Sequence, residues 1–378
     1  MARRIVHVSD SYLPGLGGIE VQVSRLARHQ VAAGDAVSVV TSTPARRGAH
    51  GVTRSVEDGV EVHRLAARVP GGYPVHPRAA HHLARILGEL RPDVVHLHMG
   101  VLSPTSQSAL RVVARLGLPA AVTVHSVWTA ERTLRLLDRL VGWSRMPVEL
   151  AAVSELAAAP LRRVAGPART IHVLRNGVAV EEWLADPLPR TRPGVHAVYA
   201  TRFAPRKRVL PLLEALRRTR EILGLRSGEL YVTIAGEGPQ MARAQAFVAE
   251  HSMDDWVALP GRLSREDLRD LYRRADVYLA PGVHDAFSVA IQEAQAAGLA
   301  IVTRSQSGAA ELVTDEVEGL RAADDEAFAA ALARLVAEPG LLARIVERNR
   351  TVPPTTVWPA VVAAHDAVYE AAAARYGR

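Results

Sequence analysis

The chain alternates between short apolar runs and longer stretches in which apolar residues recur at helical spacing. The first apolar run covers residues 4–9 (RIVHVS). After a glycine-rich loop, Val23, Leu26 and Ala27 share one helix face, and the next apolar run covers 37–41. Because this order recurs along the chain, it predicts an α/β protein with doubly wound parallel sheets and helices on both faces. Later strands are expected at residues 94–98, 120–125, 150–153, 171–174, 195–200, 230–235, 256–259, 277–279 and 300–303.

A proline-rich break divides this pattern into two series. Residues 186–194 (DPLPRTRPG) contain three prolines and precede a fresh strand. A second break, Pro353–Pro354, sets the last helix apart. We therefore expect two Rossmann-like domains, each binding its ligands beyond the carboxyl ends of its strands. The expected bounds are 1–175 plus 358–378 for the first domain and 176–357 for the second.

The composition is that of a folded globular protein. The 378 residues are 48% hydrophobic and 22% charged, and no uncharged apolar run reaches the length of a bilayer span. Residues 1–10 hold too few apolar residues for a signal peptide, so we expect a cytoplasmic protein rather than a two-lobed periplasmic binding protein. The chain has no cysteine, which excludes disulfides, thiol catalysis and thiolate metal sites.

The charge balance favours anionic partners. The formal net charge is +7, which suits nucleotide phosphates. Nucleic acid is not an expected partner, because basic and acidic residues are interspersed and aromatic residues make up only 4% of the chain. Of the 46 basic residues, all are arginine except Lys207. A lone lysine points to a position that needs a compact ammonium, although chance could leave one lysine anywhere.

A glycine-rich loop, residues 15–18 (GLGG), joins the first strand to the first helix. Glycine lets backbone amides approach an anion closely, and the helix N-terminus adds a favourable dipole. Gly17 and Gly18 therefore belong either to a phosphate site or to a tight turn that only starts the helix.

Two cations flank the loop after the first strand of the second domain. Arg202 and Lys207 can grip a diphosphate from two sides, and the alternative is a solvated basic loop.

Residues 285–293 (DAFSVAIQE) form the segment richest in candidate chemistry. Ser288 can cap the helix that follows, whose first amides would face a ligand. Val289 and Glu293 lie on one face of that helix, so Glu293 and Asp285 could hold hydroxyls of a sugar and of a ribose. The alternative is a helix start with an ordinary acidic residue.

Three histidines end two apolar strands of the first domain, namely His96, His98 and His125. Three imidazoles can ligate a metal, but the helical HxxxH spacing of zinc proteases is absent. We favour core or rim histidines bonded to backbone for His96 and His98, and a polar contact near the reacting groups for His125. His98 and Trp128 are the candidate contacts of an acceptor molecule.

Arg132, Arg135 and Arg139 share one face of a predicted helix. They could rest on an anionic membrane or contact an acidic acceptor, and a solvated helix face is the alternative that we favour.

Taken in order, these motifs resemble one family almost from end to end. This family comprises the retaining GT-B glycosyltransferases of the family 4-like group, which includes bacterial GDP-mannose- and UDP-sugar-dependent enzymes. The resemblance includes Arg202, Lys207, Asp285 and Glu293. The other matching motifs are GGIE at 17–20, DVVHLH at 93–98, TVH at 123–125, AVSE at 152–155, RNGV at 175–178, AGEGP at 235–239, GR at 261–262, YRRAD at 272–276 and EL at 311–312.

The resemblance implies a GT-B fold, in which two Rossmann-like domains face each other across a cleft. It also implies transfer of a hexose from GDP-mannose or a UDP-sugar to an acceptor hydroxyl, with the anomeric configuration retained. No cofactor and no bound metal are implied, because cationic side chains already serve the diphosphate.

The resemblance also implies a role for each matching residue. Arg202 and Lys207 would stabilise the departing diphosphate. Glu293 would bond the ribose, Asp285 would fix the transferred sugar, and His125 would contact the sugar or the acceptor. The remaining donor contacts implied in this way are Gly17, Gly18, Gly236, Arg262, Phe287, Ser288 and Val289.

Several positions depart from the family pattern. Asp285 stands where the family usually has Glu, and Ser288 and Thr201 each replace a usual glycine. These changes motivate an alternative in which the chain is a catalytically degenerate binding or scaffold subunit, and a nucleotide-sugar epimerase is a further alternative.

The acceptor stays open among a glycan, a lipid-linked molecule and a small molecule. Residues 69–82 and the region of Trp128 are expected to shape its site. Peripheral contact with the inner face of the membrane is an additional option.

Overall fold

The computed structural model describes residues 2–15, 17–46, 48–67, 76–189, 192–224 and 229–376, with the backbone alone at 137 and 141. The chain divides into two compact units. Unit 1 comprises Met1–Gly177 and Trp358–Arg378, and unit 2 comprises Val178–Val357. The first division lies two residues after the expected bound at 175, and the second lies between residues 357 and 358.

Strands and helices alternate through most of both units. The strands are β1 (Arg4–Ser9), β2 (Ala36–Thr41), β3 (Gly51–Glu57), β4 (Val60–Ala66), β5 (Val94–Met99), β6 (Ala120–Val124), β7 (Glu149–Ala152), β8 (Ile171–Val173), β9 (Val195–Ala200), β10 (Leu230–Ala235), β11 (Val257–Gly261), β12 (Val277–Ala280), β13 (Ala300–Arg304) and β14 (Gly319–Ala322). The helices are α1 (Gly18–Ala32), α2 (Ala79–Leu90), α3 (Pro104–Leu116), α4 (Glu131–Val141), α5 (Glu155–Ala165), α6 (Val209–Leu223), α7 (Met241–Glu250), α8 (Arg265–Arg274), α9 (Val289–Ala296), α10 (Asp325–Ala337), α11 (Pro339–Thr351) and α12 (Trp358–Tyr376). Among the described helices, none is both long and apolar enough to cross a bilayer.

The sheet of unit 1 has the order β3-β4-β2-β1-β5-β6-β7-β8 and is parallel except for β3, which runs antiparallel to β4. The central strands β1, β5 and β6 are almost wholly buried, as expected of strands that helices cover on both faces. The apolar pattern does not predict the β3–β4 hairpin. The reason is that β3 is an exposed edge strand with a polar sequence, GVTRSVE.

The last helix, α12, returns to unit 1 as the proline break predicts. It packs against α1 and the strands β5, β6 and β7, and Val368 and Tyr369 share a buried core with Ile5. At its start, the Trp358 ring stacks on His29 with 4.5 Å between ring centroids. A Cβ atom at Gly177 would lie 2.7 Å from Trp358 Cδ2, so the tryptophan requires glycine there.

The sheet of unit 2 has the order β11-β10-β9-β12-β13-β14 and is parallel throughout. Its core is a continuous cluster that includes Phe203, Leu213, Ile234, Ile301 and Leu332. Strands β9 and β10 have the predicted bounds. The pattern misses β14 because its four residues, GLRA, include a glycine and an arginine and so form no continuous apolar run.

In each sheet the strand order reverses at one point, between β1 and β5 in unit 1 and between β9 and β12 in unit 2. Loops that leave the carboxyl ends of two such strands diverge, and the crevice between them is where α/β sheets bind ligands. In unit 2 these loops follow Ala200 and Ala280, and in unit 1 they follow Ser9 and Met99. Arg202, Lys207 and Asp285 lie on these loops in unit 2 and Gly17 and Gly18 in unit 1, whereas the other candidates include Gly236, Arg262, His125 and Trp128, which follow other strands.

Candidate active site

The lone lysine and the first candidate carboxylate form an ion pair in unit 2. The Lys207 ammonium donates to Oδ1 of Asp285 at 2.8 Å and to Oδ2 at 3.0 Å. The two side chains are only 23% and 16% exposed, so the pair lies in a sheltered position and not on an open loop. The solvated-loop interpretation therefore does not hold for Lys207.

Two buried tyrosines position the loop that carries Lys207. The Tyr199 hydroxyl donates to the carbonyl oxygen of Lys207 at 3.0 Å, and the Tyr278 hydroxyl donates to the carbonyl oxygen of Ala200 at 3.3 Å. Burial raises the pKa of both tyrosines, so both hydroxyls stay protonated donors. The ammonium thus extends from a loop whose backbone is fixed by hydrogen bonds from the two tyrosines.

The segment AGEGP at 235–239 also supports this loop, through close backbone contact. A Cβ atom at Gly236, where φ is +136°, would lie 1.7 Å from the carbonyl oxygen of Thr201. The amide of Phe203 donates to the carbonyl oxygen of Glu237 at 2.9 Å. Gly236 is therefore a support of the loop, because no larger residue lets the two chains approach this closely.

Asp285 is held through its own backbone. The amide of Gly308 donates to the Asp285 carbonyl oxygen at 2.9 Å, and Ser307 Oγ donates to the same oxygen at 3.3 Å. A Cβ atom at Gly282 would lie 2.5 Å from Asp285 Oδ2. The loop before α9 therefore needs a glycine at 282 for the carboxylate to reach Lys207.

The helix α9 begins as the sequence predicts. Ser288 is its N-cap, and its Oγ accepts from the amide of Ile291 at 3.3 Å. Glu293 is half-buried on this helix, and its Oε1 lies 3.5 Å from Nη2 of Arg265. Phe287 and Val289 are half-buried beside the cap. A small cavity at this point is lined by Tyr199, Lys207, Gly282, Asp285, Ser288 and Ser307, among others.

Two further candidate cations follow strands of the same sheet. Arg202 follows β9 and Arg262 follows β11, and both side chains are exposed. Within the described ranges neither guanidinium has a hydrogen-bond partner. Both are therefore available to an anion, and neither is part of the Lys207–Asp285 pair.

In unit 1 the predicted histidines belong to a buried cluster with a fourth, His7 of β1. His7 and His96 are register partners on neighbouring strands, and the period of two puts His98 and His125 on the same face. The ring contacts are His7 Nδ1 to His98 Nε2 at 3.0 Å and His98 Nδ1 to His125 Nε2 at 3.1 Å. His96 bonds Tyr369 at 2.9 Å and Thr123 at 2.8 Å.

This cluster corrects the expected partners of His96 and His98. Both rings are buried as expected, but their nitrogens bond side chains and not backbone, because the strand backbones are already paired within the sheet. His7, His96 and His98 lie close enough to ligate a metal. However, each of their ring nitrogens already has a hydrogen-bond partner. His98 thus has no nitrogen left for an acceptor and supports His125 instead.

The glycine loop of unit 1 leads into an exposed helix start. Gly17 is the N-cap of α1, and both Gly17 and Gly18 are exposed. A Cβ atom at Gly17 would lie 2.4 Å from Glu20 Oε2, so glycine leaves room for that carboxylate.

The buried Asp10 carboxylate joins the loop after β1 to the start of α3. It accepts from the Thr105 amide at 2.8 Å and from the Ser106 amide at 3.1 Å.

The expected acceptor region is described in part. Trp128 is half-buried, and its Nε1 donates to the carbonyl oxygen of Gly100 at 3.3 Å. The indole lines an apolar cavity together with Met99, Leu110, Val124 and Leu134. Of the segment 69–82, residues 69–75 lie outside the described residues.

Comparison with known families decides the class of this protein. Residues 16–182 match the family described as Glycosyltransferase Family 4, and residues 190–352 match the family described as Glycosyl transferases group 1. One match falls on each unit, and together they span most of the chain. The chain is a family 4-like glycosyltransferase.

Individual relatives agree with this assignment. The glycosyltransferase is 28% identical over 350 residues to a GDP-mannose-dependent alpha-mannosyltransferase of Mycobacterium tuberculosis, covering 84% of this chain and 83% of the relative. It is 26% identical over 343 residues to a GDP-mannose:cellobiosyl-diphosphopolyprenol alpha-mannosyltransferase of Xanthomonas campestris, covering 87% and 85%. The crystal structure of Anabaena HepE in complex with UDP matches with a TM-score of 0.72 at 17% identity, covering 98% of this chain and all of that one. The fold is GT-B, with two Rossmann-like domains.

Sequence reasoning missed several residues that position the site of this glycosyltransferase. They are Tyr199 and Tyr278 behind Lys207, Gly282 beside Asp285, and His7, Gln30 and Tyr369 in the histidine cluster. His7 carries a usable signal, since it is a polar residue inside the apolar run of β1. The others lie far from their partners in sequence, and only the folded chain brings them together.

Proposed function

We propose that this glycosyltransferase moves a hexose from a nucleotide diphosphate sugar to an acceptor hydroxyl with retention of the anomeric configuration. The observation that carries the proposal is the Lys207–Asp285 pair, which lies beside the capped start of α9 in a sheltered cavity. A cation, a carboxylate and free helix amides at one place match the phosphates and hydroxyls of such a donor.

The cations serve the departing diphosphate. Lys207 presents a compact ammonium from a fixed loop, and Arg202 adds an exposed guanidinium from the same loop. Negative charge grows on the diphosphate as the glycosidic bond breaks, and fixed cations stabilise that charge most in a sheltered site. We propose no bound metal, because these two side chains occupy that role.

The carboxylates and amides orient the donor. Asp285, with the backbone amides near Phe287 and Ser288, holds hydroxyls of the transferred sugar. Glu293 accepts from the ribose hydroxyls, and its Oε1 lies 3.5 Å from Nη2 of Arg265. Arg262 and Val289 complete the nucleotide contacts, and Gly236 acts through the backbone of Thr201. We propose Gly17 and Gly18, at the exposed start of α1, as contacts of a phosphate through their backbone amides.

The transfer reaction needs no reactant besides the donor and the acceptor. The bond between the anomeric carbon and the phosphate oxygen breaks, and its electron pair leaves with the diphosphate. The acceptor oxygen bonds the anomeric carbon from the same face, and its proton passes to the departing phosphate oxygen. His125 contacts a hydroxyl of the sugar or the acceptor.

GDP-mannose is the donor that we favour. The relatives from Mycobacterium tuberculosis and Xanthomonas campestris are both named for GDP-mannose, and their similarity spans most of this chain. A UDP-sugar is the second candidate, supported by the fold of the UDP complex of HepE.

Thermal shift measurements with GDP, UDP, ADP and their sugar conjugates test the donor. A ligand that binds only the folded state raises the melting temperature by mass action. We expect GDP and GDP-mannose to stabilise the protein more than the other nucleotides. A shift with UDP alone would select the second candidate, and no shift at millimolar nucleotide would support a binding or scaffold subunit.

Donor turnover separates the enzymatic alternatives. A glycosyltransferase releases free nucleoside diphosphate slowly from its donor in the absence of acceptor, whereas a degenerate subunit leaves the donor intact. An epimerase would instead produce a new sugar nucleotide from donor alone. Chromatography of the incubated donor distinguishes these three results.

We also propose that α4 contacts an anionic membrane surface that presents a lipid-linked acceptor. Leu136 and Leu140 of this helix are 55% and 74% exposed, beside the basic residues Arg132, Arg135 and Arg139. Exposed leucines next to arginines suit the interface of an anionic bilayer. Co-sedimentation with phosphatidylglycerol vesicles should exceed that with phosphatidylcholine vesicles, and Leu140→Ser should reduce it. Equal sedimentation with both vesicles would leave α4 as a solvated face.

A further inference from the structure

A continuous row of hydrogen-bonded side chains leads from the core of unit 1 to His125. Gln30 Oε1 lies 2.7 Å from His7 Nε2, His7 Nδ1 lies 3.0 Å from His98 Nε2, and His98 Nδ1 lies 3.1 Å from His125 Nε2. Gln30, His7 and His98 are buried, and His125 is half-buried. The row therefore joins a fixed amide to a ring that a ligand can reach.

The rings in this row are neutral near pH 7. Burial lowers the pKa of His7 to about 4 and holds the pKa of His98 and of His125 well below their usual range. A neutral imidazole carries one N–H donor and one bare acceptor nitrogen. The state of one nitrogen in the row therefore determines the state of every other.

Gln30 determines which ring nitrogen donates and which accepts in each hydrogen bond of the row. Its amide nitrogen donates to the Tyr369 hydroxyl at 3.1 Å, which turns its carbonyl oxygen toward His7. That oxygen only accepts, so His7 must carry its proton on Nε2 and present a bare Nδ1.

The same reasoning applies to the next two rings. The bare Nδ1 of His7 requires a proton on Nε2 of His98, which leaves Nδ1 of His98 bare. The bare Nδ1 of His98 in turn requires a proton on Nε2 of His125. Nδ1 of His125 is then bare, and within the described part of the chain it has no hydrogen-bond partner.

We propose that Gln30, His7 and His98 are positioning residues that hold His125 in its Nε2–H tautomer, so that Nδ1 accepts a hydrogen bond from a ligand hydroxyl. The identity of that hydroxyl, on the sugar or on the acceptor, rests on the proposed function. The tautomer itself does not. A hydroxyl meets a specific acceptor at Nδ1, whereas a carbonyl or phosphate oxygen without a proton is rejected.

Nitrogen NMR of the full chain labelled with ¹⁵N-histidine tests the tautomer directly. Protonated and bare ring nitrogens resonate in separate regions, and the signals missing from a His125→Gln sample assign His125. Near neutral pH we expect His125 to carry its proton on Nε2. A proton on Nδ1 would mean that the Gln30 amide is flipped and that donor and acceptor are exchanged in every hydrogen bond of the row. This result overturns the proposal.

Two matched substitutions test whether the row controls His125. In His7→Phe, Nε2 of His98 loses its acceptor, so His98 can move its proton to Nδ1 and His125 should become a mixture of tautomers. His365→Phe is the control, because His365 is also buried beside His96, but among the described residues its only hydrogen bond is to the backbone of its own helix, at Val361. His125 should keep one tautomer in this control. An unchanged tautomer in His7→Phe overturns the proposal.

Gln30→Leu provides the second route if His7→Phe does not fold. It removes the acceptor at the start of the row, and we expect the same mixture at His125, with melting measured alongside to confirm folding. Transfer should fall in proportion to the fraction of His125 that leaves the Nε2–H tautomer, by roughly twofold for an equal mixture and by about tenfold if the hydrogen bond is lost completely. The thermal shift with nucleotide should be unchanged, because unit 2 is intact. If the unsubstituted protein binds no nucleotide, the proposed function is refuted, but the tautomer of His125 is unaffected by that result.

Discussion

The ammonium of Lys207 lies 2.8 Å from Oδ1 and 3.0 Å from Oδ2 of Asp285, although the two residues come from loops after different strands. The pair means that the cation proposed for the diphosphate and the carboxylate proposed for the sugar hold each other in place before a donor arrives. Such an arrangement lowers the cost of ordering these side chains on binding.

Lys207→Arg should reduce transfer by roughly 100-fold, the usual effect of removing one group that stabilises transition-state charge. The guanidinium is larger and planar, so it does not fit between Asp285 and the tyrosines that line the cavity. The fold should persist, since Tyr199 bonds the backbone of residue 207 and not its side chain. Initial rates and melting temperature measure the two effects. Arg206→Lys, an exposed neighbour, is the control, and full activity of Lys207→Arg would reject a need for the ammonium.

Glu293→Ala should weaken donor binding by about 10- to 100-fold, the range expected for a hydrogen bond to a charged group. Its effect on melting should be small, because its partner Arg265 is 41% exposed and the contact is long at 3.5 Å. Calorimetric titration with the nucleotide identified by thermal shift measures the affinity. Glu266→Ala, an exposed acid in the first turn of α8, should leave the affinity unchanged. An equal affinity in Glu293→Ala would remove its ribose role.

Gly236→Ala should destabilise unit 2 strongly and displace the loop that carries Lys207. The added Cβ atom would lie 1.7 Å from the Thr201 carbonyl oxygen, and φ is +136° at this position. Overpacking of this kind costs about 1–3 kcal/mol or more. Gly340→Ala is the matched control in the same unit, since it lies in α11 with open space around it and should be neutral or stabilising. Melting temperatures compare the two, and equal melting would contradict the close approach.

Acid should destabilise unit 1 through its buried histidines. Burial lowers the pKa of His7 and of His365 to about 4, against 6.5 in the unfolded chain. Between these values the unfolded state binds more protons, so stability is intact above pH 6.5 and falls as the pH drops toward 4, by about 3 kcal/mol per ring. The raised pKa of the buried Asp10 acts in the opposite direction but is a single group.

Calorimetric melting between neutral pH and pH 4.5 measures this dependence. His365→Phe should remove the uptake of about one proton on unfolding. The slope of the free energy of unfolding against pH should therefore decrease by about 1.4 kcal/mol per pH unit. His251→Gln, which alters an exposed histidine, should not change it. Parallel curves for all three proteins would show that the buried rings do not titrate in this window.

Chelation should leave transfer unchanged, because Lys207 and Arg202 are proposed to neutralise the diphosphate. Rates with EDTA present and after addition of Mg²⁺ or Mn²⁺ are the measurement. A loss of activity in EDTA that Mg²⁺ restores would show that the two cations do not suffice.

Much of the fold follows from local sequence. The apolar run and glycine loop before α1, the serine that caps α9 and the proline breaks before β9 and α12 all act over a few residues, so they can be found without a structure. The exposed edge strand β3 and the short β14 escape this reasoning, because their stability comes from pairing with a neighbour and not from an apolar pattern of their own.

The sequence by itself determined the class of the protein, the two Rossmann-like units and the candidate residues Lys207, Asp285 and Glu293. Only the tertiary structure decided that Lys207 pairs with Asp285 and that His98 stands behind His125. It also revealed Gln30 and Tyr369 as members of the histidine network. The physical reason is distance along the chain: hydrogen bonds between residues on different strands and helices depend on sheet order and register, which no local pattern encodes.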